Sequence, residues 1–210
     1  MKKSYELLNH HPINLERAKQ GKRKANSLWF WGEGVKPKLD SFYQKFGLRG
    51  SVVSAVDLLK GIAICAGMNS VDVKGATGYI DTNFEGKLEA AISEFKNGKD
   101  FVYIHIEAPD ECGHRGEYEN KVKAIELIDQ KIVIPLVKAL QKMGDYAILI
   151  CPDHPTPLEI RTHSRESVPY LIYKSNEEKK TDIEIFDEES AAATGIYVDK
   201  GYELILRLIK

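Results

Sequence analysis

The stretch that decides the fold is FVYIHIEAPDECGH, residues 101–114, where an apolar segment changes to a polar one. Phe101 to Glu107 are mostly apolar and β-prone, which predicts a buried strand. The Ala108-Pro109 pair should end that strand, because proline has no N–H group to donate to a sheet. The residues from Asp110 to His114 are mostly polar, and they include an aspartate and a histidine that can bind metal ions. We therefore expect a strand that delivers reactive residues to a loop at its carboxyl end.

Outward from this stretch, short apolar strands alternate with amphipathic helices. This alternation is typical of α/β folds with layered sheets and helices. Residues 69–83 are rich in turn formers. The longest predicted helix has a break at Pro135 and a buried stripe at Val122, Ile125, Ile128, Ile132, Leu136 and Leu140. Strands are predicted at 29–31, 51–56, 101–107, 146–150 and 169–173, and helices at 38–46, 57–68, 86–97, 120–143 and 202–209.

Candidate ligands follow the predicted strands. Asp110 and His114 follow one strand, Asp153 and His154 follow the next, and His163 precedes another. Functional groups in open α/β sheets lie at the carboxyl ends of the strands. Mixed aspartate and histidine ligation suits Mn²⁺, Zn²⁺ or Fe better than Ca²⁺. The residues alone are equally compatible with ordinary polar loops between buried strands. We interpret His105, which lies within a strand, as a hydrogen-bonded histidine in or behind the site.

Composition excludes several classes of partner. The formal net charge is −1, which lacks the basic footprint of a nucleic-acid-binding protein. No segment approaches the ~18 consecutive apolar residues of a membrane span, and no apolar stretch of a secretory signal follows Met1. Three scattered cysteines do not form a disulfide framework. We expect a cytoplasmic protein with no nucleic-acid or membrane partner. Residues 1–26 are predicted to be irregular, and residues 27–210 to form the main domain.

Several motifs occur together in one order. They are WFWG at 29–32, GATG at 75–78, IEAPDECGH at 106–114, KAIELID at 123–129, PDHPTP at 152–157, and THS followed by VP within 162–169. This series resembles the archaeal-type 2,3-bisphosphoglycerate-independent phosphoglycerate mutases. The resemblance runs from about residue 5 to residue 209 and identifies the chain as the C-terminal portion of such a protein.

The resemblance implies a fold and two cofactors. The family belongs to the alkaline phosphatase superfamily, which implies a layered α/β sandwich around a mixed, largely parallel sheet. In this chain that sheet would be incomplete at the N-terminal side, with 1–26 leading in from a missing N-terminal part. Two divalent metal ions are implied, with Mn²⁺ favoured and Zn²⁺ or Mg²⁺ as alternatives. By motif, Asp110, His114 and His163 would hold one ion, and Asp153 and His154 the other. Lys60 matches a lysine that contacts the substrate phosphate.

The departure from the family pattern concerns the nucleophile. Family members carry a nucleophilic serine and a further aspartate ligand in an N-terminal part, and no serine here sits in a matching motif. The implied reaction interconverts 3- and 2-phosphoglycerate, a phosphorylated three-carbon acid, through a phosphoserine. This chain alone is expected to have little or no activity without the missing segment, in cis or in trans. Two alternatives stay open: a related phosphotransferase such as a homoserine kinase-like enzyme, and a non-catalytic metal-binding module.

Overall fold

The computed structural model describes residues 1–30, 32–177, 179 and 181–209. The chain divides into two compact units, Met1–Lys38 and Leu39–Lys210. The division falls after the boundary expected at residue 26. The second unit contains every candidate site residue.

The first unit corrects the prediction for residues 1–26. Instead of an irregular lead-in it contains two helices, α1 (Lys2–Leu8) and α2 (Pro12–Lys19). Asn14, which is 4% exposed, explains how so polar a segment folds. Its side-chain amide donates to the carbonyl groups of Leu8 and Ala25 at 2.8 and 3.0 Å, and its oxygen accepts from the N–H of Ala25 at 2.8 Å. One side chain therefore ties the loop after α2 back to α1.

The strand predicted at residues 29–31 is wrong where the structure describes it. Trp29 and Phe30 belong to no strand, and their side chains are exposed. Trp31 lies outside the described residues. The aromatic pattern suggested a strand, but no strand in the described part of the chain pairs with these two residues.

The second unit is the α/β layer predicted from the sequence. Strands β1 (Gly50–Val53), β2 (Asn69–Val71) and β3 (Phe101–Ile104) form a parallel sheet in the order β2-β1-β3. Strands β4 (Ala147–Ile150) and β5 (Leu171–Lys174) form an antiparallel pair. The helices are α3 (Phe42–Phe46), α4 (Asp57–Cys65), α5 (Phe84–Lys96), α6 (Ala108–Arg115), α7 (Tyr118–Ile128), α8 (Ile134–Leu140), α9 (Glu188–Ala193) and α10 (Leu204–Ile209).

Three of these elements were not predicted. The turn-rich segment 69–83 begins with β2, and the loop expected at 110–114 is helix α6. Helix α9 was also missed. The core centres on Phe84, Leu88, Ala108, Ala124 and Ile132, so helices α5, α6 and α7 pack around one apolar cluster. Ala108 of α6 is fully buried in this cluster. The core therefore fixes the position of the helix that carries Asp110 and His114.

The long helix predicted at 120–143 is divided, as the proline at 135 indicated. A π-helical segment, Asp129–Val133, separates α7 from α8. The N–H of Ile134 reaches back five residues to the carbonyl oxygen of Asp129, which is the bond pattern of a π turn. The predicted buried stripe is only partly correct. Val122 and Ile125 are 40% and 55% exposed, because Ala124 faces the core in their place.

Lys87 is an unexpected charge beneath the parallel sheet. It lies in α5 with 1% of its surface exposed, and its ammonium group donates to the carbonyl oxygen of His105 at 3.1 Å. This contact ties α5 to the end of β3. Burial lowers the pKa of Lys87 to about 8, although attraction to Glu107 acts in the opposite direction. The buried ammonium is therefore less stable in the folded chain than in water.

Lys87→Met should remove a pH dependence of folding stability. Between pH 8 and about 10.5 the unfolded chain binds this proton while the folded chain has lost it, so stability rises with pH across that window. We expect the difference in unfolding free energy between wild type and Lys87→Met to change by roughly 3 kcal/mol across it. Denaturant titrations at several pH values measure this difference. The exposed Lys96→Met in the same helix should show no such change, and a matching change there would contradict the assignment.

Candidate metal centre

Helix α6 places two candidate ligands on one face. Pro109 lies in its first turn, where a missing N–H costs nothing. Gly116 ends the helix in the left-handed conformation at φ 71°. Asp110 and His114 are four residues apart, and residues at that spacing are neighbours on a helix surface. The distance from His114 Nε2 to Asp110 Oδ2 is 3.4 Å.

His163 completes a three-residue cluster with this pair. Its Nε2 lies 3.3 Å from Asp110 Oδ1 and 3.0 Å from His114 Nε2. Ligand atoms of the three side chains lie within 4.8 Å of one another. One carboxylate and two imidazoles form a donor set suited to a divalent transition-metal ion. The cluster joins residues from α6 and from the segment after β4.

A backbone carbonyl orients the ring of His114. Its Nδ1 lies 3.0 Å from the carbonyl oxygen of Arg161. A carbonyl oxygen can only accept a hydrogen bond, so Nδ1 carries the hydrogen. In the neutral ring the lone pair is then on Nε2, the atom that faces Asp110 and His163. The donor set therefore fits a cation at that point.

The second predicted pair lies directly beside this cluster. The ring of His154 stacks on that of His163 with centroids 3.6 Å apart. Its Nε2 lies 3.4 Å from Asp153 Oδ2. Asp153 itself is exposed. The structure thus brings four of the five predicted metal ligands into contact, with Asp153 attached through His154.

Thr156 connects the two groups, and sequence reasoning missed it. Its hydroxyl donates to Asp110 Oδ1 at 2.5 Å and lies 3.4 Å from His154 Nδ1. Its carbonyl oxygen accepts from Lys121 Nζ at 2.6 Å. Thr156 is 4% exposed, so these contacts are shielded from water. Its place in the PDHPTP motif, two residues after His154, was the available signal.

Gly113 makes this contact possible. A Cβ atom at position 113 would lie 2.6 Å from the carbonyl oxygen of Thr156, 2.9 Å from its methyl group and 2.9 Å from Lys121 Nζ. No side chain fits in that space. The glycine of the predicted motif is therefore required by the close approach of the segment after β4 to helix α6.

A second group of polar side chains lies behind the cluster, at the ends of β1 and β3. Ser54 Oγ lies 3.3 Å from His105 Nδ1, which agrees with the prediction that His105 is hydrogen bonded. Burial lowers the pKa of His105, which favours the neutral ring at pH 7. Burial also raises the pKa of Glu107, and the nearby carboxylates of Glu111 and Asp110 add to the effect. A Cβ at Gly78 would lie 2.5 Å from Glu107 Oε2, so the GATG loop packs closely against the carboxylate of Glu107.

Lys60 is not among the residues that the structure brings together. Its ammonium group lies 2.8 Å from Asp72 Oδ1 and 3.9 Å from Asp57 Oδ1. The hydrogen bond to Asp72 raises the pKa of Lys60. The prediction that Lys60 contacts substrate phosphate stays a prediction.

Comparison with protein families gives an independent view of the whole chain. Residues 8–197 match the family model described as "Metalloenzyme superfamily". A probable 2,3-bisphosphoglycerate-independent phosphoglycerate mutase from Geobacter sulfurreducens is 47% identical over 98% of this chain. A 2,3-bisphosphoglycerate-independent phosphoglycerate mutase from Methanosarcina mazei is 46% identical over 97% of it. In both cases the match covers 51% of the relative, so the chain spans about half the length of the curated relatives it matches.

Comparison with solved structures also gives matches that cover about half of the other protein. The PH0037 protein from Pyrococcus horikoshii has a TM-score of 0.76 at 34% identity, covering 91% of this chain and 50% of that protein. A cofactor-independent phosphoglycerate mutase from Thermoplasma acidophilum has a TM-score of 0.62 at 25% identity, covering 99% and 48%. Among the described residues, no helix is long and apolar enough to span a membrane.

Gly113→Ala should disturb the junction between helix α6 and Thr156. The new methyl group meets a backbone carbonyl that cannot rotate away, so we expect unfolding free energy to fall by ~2 kcal/mol. The matched control is Gly61→Ala in α4, where nothing lies within 4 Å of the added atom. That variant should gain ~0.5–1 kcal/mol from the better helix propensity of alanine. Urea denaturation measures the unfolding free energy of both variants. Equal changes in the two would show that the close approach of Thr156 to Gly113 does not affect stability.

Proposed function

Because the family model covers most of its length, the chain belongs to the metalloenzyme superfamily, and from this premise we propose that it is the C-terminal portion of a metal-dependent phosphoglycerate mutase. The proposed reaction of the complete enzyme interconverts 3- and 2-phosphoglycerate through a phosphoserine. The observation that carries the proposal is the convergence of Asp110, His114 and His163. The relatives are named as phosphoglycerate mutases, which supports the choice of substrate, a phosphorylated three-carbon acid.

Two divalent ions are proposed, with Mn²⁺ favoured and Zn²⁺ or Mg²⁺ as alternatives. Asp110, His114 and His163 would hold one, while Asp153 and His154 would contribute to the other. When bound, such ions supply positive charge that stabilises the transferring phosphoryl group. The fit of the first set rests on its donor atoms and on the fixed lone pair of His114. The second set offers two protein ligands, so we expect it to bind weakly in this chain alone.

The chain's own residues have separate proposed roles. The Thr156 hydroxyl orients Asp110 by donating to one of its oxygens. Lys60 is the candidate for contact with the substrate phosphate. In this structure its ammonium is ion-paired with Asp72. Substrate phosphate would therefore have to compete with that carboxylate.

The serine nucleophile is proposed to lie in a segment outside this chain. The two serines nearest the carboxyl end of β1 are poor candidates. Ser51 is fully buried and donates to Glu94 Oε2 at 2.5 Å. Ser54 is 2% exposed, and its hydroxyl oxygen accepts from the N–H of Val56 at 3.0 Å. The match to only half of each relative is consistent with a nucleophile supplied by the other half.

The metal assignment predicts a split response to two aspartate substitutions. In calorimetric titration of the metal-stripped chain with Mn²⁺, we expect one saturable site that Asp110→Asn abolishes, since it removes a charged ligand. Asp153→Asn should change the affinity of that site little. Asp145→Asn, which replaces an exposed carboxylate elsewhere, should match wild type. Equal losses for Asp110→Asn and Asp153→Asn, or no saturable binding by folded wild type, would contradict the assignment.

The mutase proposal is tested by restoring the unmatched half. A fusion would join that half of the Geobacter sulfurreducens relative ahead of this chain, and the interconversion of 3- and 2-phosphoglycerate would be assayed. We expect activity in the fusion, no activity in the chain alone, and loss of activity on Asp110→Asn. Activity of the chain alone would refute the proposal that the nucleophilic serine lies outside this chain. A folded, Mn²⁺-binding fusion without activity would favour the non-catalytic metal-binding module.

A further inference from the structure

Arg161 has an unusual backbone conformation. At φ 52° it is the one non-glycine residue with positive φ in the described part of the chain. This left-handed region costs an ordinary residue roughly 1–2 kcal/mol, and glycine, asparagine or aspartate usually occupy it. Strain of this kind persists only where surrounding contacts enforce it. The contacts of Arg161 therefore indicate what the conformation achieves.

The backbone of Arg161 joins a turn to a candidate ligand. Its N–H donates to the carbonyl oxygen of Pro157 at 2.9 Å, which closes the turn of residues 157–161. Its own carbonyl oxygen accepts from His114 Nδ1 at 3.0 Å. His163 follows two residues later, with Nε2 3.0 Å from His114 Nε2. The carbonyl group of Arg161 thus orients the ring of His114. The backbone conformation of Arg161 also affects the position of His163, two residues later.

The side chain of Arg161 reaches the same helix by a different route. A Cβ atom at Gly116 would lie 2.6 Å from Arg161 Nε and 2.8 Å from Cζ, so the guanidinium group packs against the C-terminal end of α6. Gly116 ends the helix that carries Asp110 and His114. The backbone and the side chain of Arg161 therefore both hold the segment after β4 against α6.

We propose that Arg161 is a positioning residue whose left-handed backbone aligns the Nε2 atoms of His114 and His163 for one cation. This inference rests on the metal site proposed above and adds a residue that contacts no cation itself. A carbonyl that orients a histidine ligand commonly changes metal affinity by 10–100-fold when it is lost. The strained conformation is the structural cost of pointing that carbonyl at His114.

The test compares substitutions that differ in their tolerance of positive φ. Arg161→Gly accepts the left-handed region and keeps the carbonyl, whereas the β-branched side chain of Arg161→Val resists it. Calorimetry with Mn²⁺ on the metal-stripped chain should show affinity within about threefold of wild type for Arg161→Gly and a loss of about tenfold or more for Arg161→Val. Glu159→Val, an exposed residue of the same turn without positive φ, should match wild type.

A second readout distinguishes positioning from loss of stability. In the metal-free chain, ¹⁵N NMR of the His114 ring should report hydrogen on Nδ1 in wild type and Arg161→Gly. It should report a mixture of tautomers in Arg161→Val. If Arg161→Val does not fold, Arg161→Ala replaces it, because alanine and glycine both lack the guanidinium contact and only alanine keeps the Cβ strain. Arg161→Ala should then bind Mn²⁺ more weakly than Arg161→Gly.

The outcomes separate this inference from the proposed site. Wild-type affinity and a fixed Nδ1 hydrogen in Arg161→Val would overturn the role of Arg161, provided that Asp110→Asn still abolishes binding. Equal affinity for Arg161→Ala and Arg161→Gly would overturn it in the same way. If Asp110→Asn leaves Mn²⁺ binding unchanged, the metal site itself is wrong and the inference fails with it.

Discussion

The contact between Thr156 and helix α6 is the constraint on which the rest of the site depends. Asp110 and His114 come from one helix, whereas His154 and His163 come from a segment some 40–50 residues later. Neither element could hold a cation firmly alone. The buried hydroxyl of Thr156 joins them at Asp110, and the missing side chain of Gly113 leaves room for that approach. Because these contacts are shielded from water, small displacements of either backbone should be costly.

Much of the α/β layer was predictable because its elements have clear periodicity. Strands β3 and β4 lie within the predicted apolar runs, β1 and β5 overlap theirs and extend one residue beyond them, and α5 follows the spacing of Leu88 and Ala91. Helix α6 was not predictable in this way. It has eight residues, including a proline and a glycine, and its stability comes from the packing of Ala108 and Cys112 rather than from propensity. Four candidate ligands, Asp110, His114, Asp153 and His154, could be singled out because they follow predicted strands, and His163 because it precedes one.

The residues that contact the candidate ligands were hidden for a different reason. Thr156 and Arg161 act through contacts with helix α6, which exist only after distant segments meet. Their residue types carry no metal-binding signal. The burial of Lys87 could have been inferred from its spacing, since it lies three residues after Phe84 and four before Ala91 on the buried face of α5. A lysine on such a face marks a position where a specific polar partner, here the His105 carbonyl, must be present.

The π segment between α7 and α8 has a consequence for the register of the core. Ala124, Ile128, Ile132, Leu136 and Leu140 recur every four residues and are buried or half-buried. An ideal α-helix would rotate each successive member by about 40°, so such a row would wind away from the core. The wider turn at Asp129–Val133 takes up part of this rotation. The number of residues in this segment is therefore itself specified, because one fewer would turn the apolar side of α8 away from helix α5.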